Sequence, residues 1–214
     1  MQIPHTWSFK SDEIAEGFNS HVREQLPWYD LTTGVIAHVA RHYIPNGGRV
    51  YDIGASTGNV GRALQQTLSE RNAEFIAIEN SKQMASLYEG PGTLHIADAE
   101  AFDFKPFDLA VCFLTLMFIP PSQRSGLIAR LRSQIRPGGA LLVFDKCEAA
   151  SGYVATVLWR LALAGKVSSG VCSDEIIAKE LSLSGVQRPL KVSELHPATE
   201  IFRFGDFAGW IIES

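Results

Sequence analysis

Residues Val50–Gly61 read VYDIGASTGNVG, and this stretch decides the fold. The apolar run Val50–Ile53 predicts a short buried strand, which leads through a glycine-rich turn into a helix that begins near Val60. Such a succession is typical of open α/β sheets, which bind ligands beyond the carboxyl ends of their strands. Gly54 and Gly58 allow the backbone to turn sharply and to approach a ligand closely. The turn alone is weak evidence for a bound nucleotide or nucleoside.

Short apolar runs alternate with amphipathic stretches along the rest of the chain, which predicts βα units on a parallel sheet. The runs are continuously apolar, as expected where helices cover both faces of a sheet. A hairpin around Gly205-Asp206 adds two strands at the end. The prediction is therefore a doubly wound, seven-stranded, mostly parallel α/β sheet. Its strands are predicted at Val50–Ile53, Phe75–Ile78, Thr93–Ala97, Leu109–Phe113, Ala140–Phe144, Ile201–Phe204 and Phe207–Ile212.

Helices are predicted between the strands and at the start of the chain, where two of them cap one end of the sheet. Proline and glycine signals bound the helix before the fifth strand, with Pro121 at its start and Gly138-Gly139 after its end. The apolar helix Val154–Ala164 is interpreted as core, with the packing of a homodimer as the alternative. The helices are predicted at Ser11–Val22, Leu31–Tyr43, Val60–Glu70, Lys82–Leu87, Ser122–Ile135, Val154–Ala164 and Asp174–Leu183.

Length and composition favour one globular domain, because the chain has 214 residues, 46% hydrophobic and 20% charged. Residues 1–48 form its helical cap and residues 49–214 its core. The formal net charge of −4 supplies no global field for nucleic acid or an anionic membrane. The start of the sequence has no signal-peptide pattern and no apolar run is long enough to cross a bilayer, so we expect a cytoplasmic protein without a membrane partner. Cys112, Cys147 and Cys172 lack zinc or disulfide spacing, and no metal site is predicted.

Asp52 distinguishes between ligand classes. A carboxylate two residues before the first glycine would repel the pyrophosphate of a dinucleotide, and Ser56 stands where the dinucleotide fingerprint requires its second glycine. A nicotinamide dehydrogenase is therefore disfavoured. A ligand with an ammonium group and no phosphate, such as the methionine end of S-adenosylmethionine, suits Asp52 better. The structural alternative is that Asp52 only accepts hydrogen bonds from loop amides.

Two further acids follow neighbouring strands. Glu79 ends the second strand, where an acidic residue binds ribose hydroxyls in nucleotide-binding βαβ folds, and Asp98 with Ala99 ends the third. Asp98 is placed to accept a hydrogen bond from the adenine amino group. The structural alternatives are a helix cap for Glu79, ahead of Asn80-Ser81, and a surface loop for Asp98. Three acids at one sheet edge are not easily explained by capping alone.

These residues resemble the class I S-adenosylmethionine-dependent methyltransferases along nearly the whole chain. The family's glycine-rich motif matches Asp52–Gly58, its ribose acid matches Glu79, and its adenine-contact acid matches Asp98. The segment Arg136–Leu142 matches the element that closes the helix before the fifth strand. The resemblance implies S-adenosylmethionine as cofactor and a Rossmann-like sheet with an antiparallel last strand, in agreement with the predicted hairpin.

Within that family the chain is most similar to the carboxy-S-adenosylmethionine synthases of tRNA wobble-uridine modification. The similarity lies in Pro27-Trp28-Tyr29, Val50–Ser56, Ile78–Ser81, Phe113–Phe118, and Pro137–Leu141 with Lys146. It implies cofactor contacts by Tyr29, by Gly54, Ala55 and Ser56, by Glu79 and Asn80, and by Asp98 and Ala99.

Two departures separate this chain from those synthases. Phe113 stands where they carry an Asn, and their Arg for the extra carboxylate belongs to a segment that is missing here between Val186 and Ile201. A site without a cation for the extra carboxylate loses its main means of distinguishing carboxy-S-adenosylmethionine from S-adenosylmethionine. Arg188 and Lys191 are candidates to replace that Arg.

Methyl transfer from a sulfonium depends largely on positioning and desolvation, so a dedicated base is often optional. No general base is assigned, and Tyr29 is the preferred candidate among the residues expected near the methyl group. The others are His5, Trp7 and the Leu114–Met117 loop. Lys146 is either an acceptor-site residue or the partner of Asp145, and Cys112 is interpreted as a buried hydrophobic residue.

The sequence therefore predicts an S-adenosylmethionine-dependent methyltransferase that acts on a small-molecule acceptor. The alternatives are a carboxy-S-adenosylmethionine synthase-like enzyme and a non-catalytic cofactor-binding subunit. A nucleic-acid partner is disfavoured but not excluded, because four arginines follow one predicted helix and are interpreted as its solvated outer face: Arg124, Arg130, Arg132 and Arg136.

Overall fold

One sheet of seven strands organises the chain, and the computed structural model describes residues 2–148 and 151–214. The strands are β1 (Arg49–Ile53), β2 (Glu74–Glu79), β3 (Thr93–Ile96), β4 (Phe107–Phe113), β5 (Ile135–Lys146), β6 (Thr199–Phe204) and β7 (Phe207–Glu213). The helices are α1 (Asp12–Gln25), α2 (Tyr29–Ala40), α3 (Asn59–Glu70), α4 (Lys82–Ser86), α5 (Pro121–Ser133), α6 (Tyr153–Ser168) and α7 (Ser173–Ser182). Short 3₁₀ turns cover Leu116–Phe118 and Val192–Leu195.

The strand order across the sheet is β3-β2-β1-β4-β5-β7-β6. Neighbours from β3 to β5 pair in parallel, and β7 pairs antiparallel with both β5 and β6. The order reverses between β1 and β4, which is where ligands bind in open α/β sheets. The predicted fold class, including the antiparallel last strand, is confirmed.

The central strands are buried on both faces because helices pack above and below the sheet. All seven residues of β4 are buried, and alternate residues belong to two separate apolar clusters. Ala110 and Cys112 face one cluster, while Leu109 and Val111 face the other. This double burial explains the continuous apolar runs in the sequence.

The region between β4 and β5 differs from the sequence prediction. β5 begins at Ile135, so Gly138-Gly139 lies inside the strand rather than before it. The β4–β5 register shifts between Phe107 and Leu109, and a side chain on Gly139 would lie 2.6 Å from the carbonyl oxygen of Asp108. The glycine allows this close approach of the two backbones.

Two predictions about the surface are wrong. The apolar helix α6 contains no buried residue, and Trp159 is 55% exposed, so this helix is not core. Arg124 is buried rather than solvated, and its guanidinium donates to the carbonyl oxygens of Ile119 and Pro189. The homodimer remains a prediction, since the structure contains one chain.

Candidate functional site

A cavity with ≈ 270 Å³ of free interior space lies at the carboxyl ends of β1, β2 and β4. Helices α1, α6 and α7 contribute its other walls. Most of the residues predicted for the site line this cavity: Tyr29, Asp52, Gly54, Ala55, Ser56, Glu79, Asn80 and Ala99. Gly58 and Asp98 are not among its lining residues. Side chains from distant parts of the sequence therefore meet where the topology predicts a ligand.

Asp52 is a buried acid in the wall of the cavity. The side chain is 1% exposed, and its Oδ2 atom has no hydrogen-bond partner among the residues that the structure describes. Burial, with a smaller contribution from the nearby Glu79 carboxylate, raises the pKa of Asp52 to about 7. A buried carboxylate without a partner costs free energy unless a ligand supplies a donor or a positive charge. The alternative in which loop amides satisfy Asp52 is therefore wrong for Oδ2.

Glu79 is held in place by the backbone around it. One carboxylate oxygen accepts a hydrogen bond from the amide of Ser56 at 2.8 Å, and the other accepts one from the amide of Ser81 at 2.8 Å. Burial raises the pKa of Glu79, while these amide bonds oppose the rise. Each carboxylate oxygen can accept a further bond, so the side chain remains able to receive two hydroxyl groups.

The two glycines of the turn have different roles. Gly54 lines the cavity with a φ of 76°, and a side chain there would lie 2.5 Å from the hydroxyl oxygen of Thr115. Gly58 has a φ of 88°, and its missing side chain faces the backbone of Gly90 at 2.5 Å. Gly58 therefore shapes the start of α3, and its predicted contact with the cofactor stays a prediction.

Asp98 lies outside the cavity wall but is linked to it. The side chain is exposed, and its Oδ1 atom accepts a hydrogen bond at 3.0 Å from Nδ2 of Asn80, which does line the cavity. The predicted contact of Asp98 with adenine stays a prediction. The neighbouring Ala99 is buried and lines the cavity.

Tyr29 begins α2, and its ring is buried against the ring of Phe113 with centroids 5.0 Å apart. Its hydroxyl oxygen accepts a hydrogen bond at 3.0 Å from Nδ2 of Asn59. Burial is the main cause that raises the pKa of Tyr29 to about 12, so the phenol is neutral at physiological pH. The stacked pair presents aromatic surface to the cavity, since both residues line it.

The loop after β4 is ordered by a second buried acid. Asp145, on β5, accepts hydrogen bonds from the amides of Thr115 at 3.1 Å and Met117 at 3.3 Å. Burial is the main cause that raises the pKa of Asp145 to about 7. Asp145 thus holds the predicted loop against the cavity; it also accepts a hydrogen bond at 2.9 Å from the backbone amide of Lys146, whose amine instead donates to Gln187.

Lysines on the α6–α7 side of the cavity are the main feature that the sequence did not predict. Lys146, Lys166 and Lys179 all line the cavity. Glu180 lies 2.8 Å from the amine of Lys166 and 4.0 Å from that of Lys146. Lys179 places its amine over the Trp7 ring. No motif marks Lys166 and Lys179, because they meet only when α6 and α7 fold back over the sheet, whereas Lys146 on β5 is the acceptor-site candidate that the sequence named.

The remaining candidates divide between the cavity and other places. Trp7 and the loop residues Leu114, Thr115 and Met117 line the cavity, whereas His5 is exposed and is not among the lining residues. Arg188 and Lys191, named as replacements for the missing Arg, are also not among them. Cys112 is fully buried, and burial raises the pKa of its thiol, as expected of a hydrophobic residue.

Comparison with known proteins agrees with this geometry. Residues 50–139 match a family model described as a methyltransferase domain. The chain is 28% identical to the carboxy-S-adenosyl-L-methionine synthase of Staphylococcus epidermidis, over 97% of this chain and 92% of the relative. It is 30% identical to the synthase of the same name from Shewanella amazonensis, over 86% of this chain and 80% of the relative.

Solved structures show the same fold at low sequence identity. The complex of DhpI with SAH superimposes with a TM-score of 0.61 at 12% identity, over 94% of this chain and 91% of that one. The cyclopropane synthase MmaA2 from Mycobacterium tuberculosis superimposes with a TM-score of 0.54 at 14% identity, over 80% and 61%. Among the described residues, no helix has the length and apolar character needed to span a membrane.

Proposed function

This chain belongs to the class I S-adenosylmethionine-dependent methyltransferase family, and we propose that it transfers a methyl group from S-adenosylmethionine to a small-molecule acceptor. The observation that carries the proposal is the buried, unpartnered Oδ2 atom of Asp52 in a cavity at the carboxyl edge of the sheet. A cationic ligand end would offset the cost of burying this carboxylate.

The cavity residues fit the cofactor. Asp52 suits the ammonium end of the methionine moiety, because the site contains a buried acceptor and the ligand offers a charged donor. Glu79 suits the ribose, since its oxygens are already fixed by the amides of Ser56 and Ser81 and retain acceptor capacity. Ala99 and Asn80 border the expected adenine position.

The chemistry divides between the cofactor and the chain. When bound, the cofactor supplies an activated methyl group on its sulfonium. Transfer of that methyl group needs an aligned nucleophile more than it needs a base. The aromatic pair of Tyr29 and Phe113 excludes water and favours a cation near its ring faces. The loop fixed by Asp145 completes the wall beside it. These residues position and desolvate the reacting groups.

A small acceptor is supported by the shape of the cavity. Its walls come from both the sheet edge and from α6 and α7, and its volume of ≈ 270 Å³, at the lower limit of common ligand pockets, leaves space for only a small group beside the cofactor. The acidic overall balance of −4 gives no broad surface attraction for a nucleic acid.

Carboxy-S-adenosylmethionine formation is the second candidate. The relatives that match most of the chain bear that name. Lys146 and Lys166 also provide cations within the cavity, both near Glu180, so the missing Arg does not leave the site without positive charge. An additional carboxylate on the cofactor would then find a partner here.

The mass of the ligand that co-purifies with the protein separates the two candidates. We expect S-adenosylmethionine or its demethylated product, followed by label transfer from methyl-deuterated S-adenosylmethionine to one component of a small-molecule extract. A ligand heavier by one carboxyl group would instead support the second candidate. Labelling of no component, with the intact cofactor bound, would contradict methyl transfer by the single chain.

A further inference from the structure

Three potential metal ligands meet between α1 and α7, at the edge of the cavity. His21 and Glu24 lie three residues apart on α1, which places them on one helix face, and Glu175 is in the first turn of α7. One ligand atom from each residue lies within 4.8 Å of the others. Their separation in sequence explains why no spacing motif predicted them.

His21 provides the observation that distinguishes this cluster from an ordinary group of surface acids. The side chain is 4% exposed, yet neither Nδ1 nor Nε2 has a hydrogen-bond partner among the described residues. A buried imidazole without any partner is costly, because its N–H group loses hydration and gains nothing in return. Both ring nitrogens therefore retain their capacity to bind a ligand, and a neutral imidazole is a common metal ligand.

The distance between His21 and Glu175 also suits a shared ion. Nδ1 of His21 lies 3.8 Å from Oε1 of Glu175, which is too long for a hydrogen bond. Two ligand atoms bound tetrahedrally to one zinc ion at about 2.0–2.2 Å lie about 3.3–3.6 Å apart, so the pair would close by a few tenths of an ångström on binding. Gln25 donates a hydrogen bond at 3.0 Å to the same Oε1 atom and so orients the carboxylate, as supporting residues of metal sites commonly do.

We propose that His21, Glu24 and Glu175 bind a divalent transition-metal ion of the zinc type. One imidazole and two carboxylates form a ligand set with two negative charges, which neutralises a dication. Water would complete the coordination, since Glu24 is exposed and Glu175 is only partly buried.

Positive groups near His21 limit the affinity of the proposed site for a metal ion. Lys179 on α7 and Lys166 on α6 act on His21 as like charges, while Trp7 lies against both the His21 ring and the Lys179 amine. The ion would link α1 to α7, two walls of the cavity, without taking part in methyl transfer.

Zinc titration of the metal-free, full-length protein tests the proposal without S-adenosylmethionine, so its outcome is independent of the proposed function. Isothermal titration calorimetry is carried out in a Cys172→Ser background, because Cys172 is an exposed thiol close to the site in sequence. We expect one zinc ion per chain and at least tenfold weaker binding after Glu175→Gln or Glu24→Gln. Glu16→Gln, an exposed acid on the same helix, is the matched control and should not change binding.

Cobalt provides a spectroscopic readout of the same site. Co²⁺ bound by the Cys172→Ser protein should show visible absorption bands that disappear on addition of zinc and are absent from His21→Gln, while circular dichroism reports whether that variant folds. Binding that is equal in Glu175→Gln, Glu24→Gln and Glu16→Gln would overturn the proposal. The absence of stoichiometric binding at millimolar zinc would overturn it as well.

Discussion

Replacing Asp52 by Asn should stabilise the ligand-free protein at neutral pH while weakening cofactor binding. The substitution keeps the shape of a side chain that is 1% exposed and removes a carboxylate whose Oδ2 atom has no partner among the described residues. The substitution should therefore raise the free energy of unfolding and lower the affinity for the cofactor, as expected when a buried charge serves to bind a ligand.

The magnitude follows from the pKa of Asp52, which burial raises from an ordinary 3.8 to about 7. Between these values the folded protein retains a proton that the unfolded chain has lost, so the stability of the wild type falls as pH rises. Each pH unit corresponds to about 1.4 kcal/mol. Relative to Asp52→Asn, the wild type should lose about 2–3 kcal/mol of unfolding free energy between pH 5 and pH 7.5.

Urea denaturation of both proteins at these two pH values measures the difference, and calorimetry at pH 8 measures the affinity for S-adenosylmethionine. We expect the affinity of Asp52→Asn to fall by about 1.5–3 kcal/mol, because a charge-assisted bond is lost. The control is Asp108→Asn, since Asp108 pairs with Arg136 and the Arg49 amide away from the cavity. It should lower stability and leave the affinity unchanged. The reasoning would be refuted if the unfolding free energies of Asp52→Asn and wild type had the same pH dependence and both proteins bound S-adenosylmethionine equally well.

Four further substitutions test other parts of the structure. Gly58→Val should destabilise the protein by about 2 kcal/mol or more in urea denaturation, because a φ of 88° strains a branched residue and the side chain would meet neighbouring backbone. Tyr29→Phe should cost about 0.5–1.5 kcal/mol of stability through loss of the bond from Asn59 and should leave transfer measurable; a rate loss above a hundredfold would instead indicate a chemical role for the hydroxyl. Trp159→Ala should lower the free energy of unfolding by less than about 1 kcal/mol, whereas Trp210→Ala should lower it by about 3–5 kcal/mol. Equal losses of unfolding free energy in the two variants would contradict the exposure of α6.

Much of the sheet edge could be predicted because its signals are local. The change from an apolar run to Gly54 locates the end of β1, and Glu79 directly follows an apolar run that the structure shows as β2. Parallel pairing then brings Asp52 and Glu79 to the same edge, which needs no knowledge of distant contacts. The expected cofactor class followed from those acids and from the family resemblance.

The α6–α7 side of the cavity could not be predicted because it depends on how distant segments fold together. Lys166 and Lys179 belong to separate helices, and only their packing over the sheet makes them neighbours. The helix α6 was interpreted as core from its apolar composition, although composition does not indicate whether another element covers it. Asp98 follows β3 as predicted and accepts a hydrogen bond from the cavity residue Asn80, and its contact with adenine stays a prediction.

The most direct test of the proposed cofactor site is a crystal structure of the protein with S-adenosylhomocysteine. We expect the ribose hydroxyls within hydrogen-bond distance of the Glu79 carboxylate and the amino group of the ligand on the Asp52 side of the cavity. A ligand bound elsewhere, with Asp52 still unpartnered and Glu79 bonded only to the Ser56 and Ser81 amides, would contradict this account.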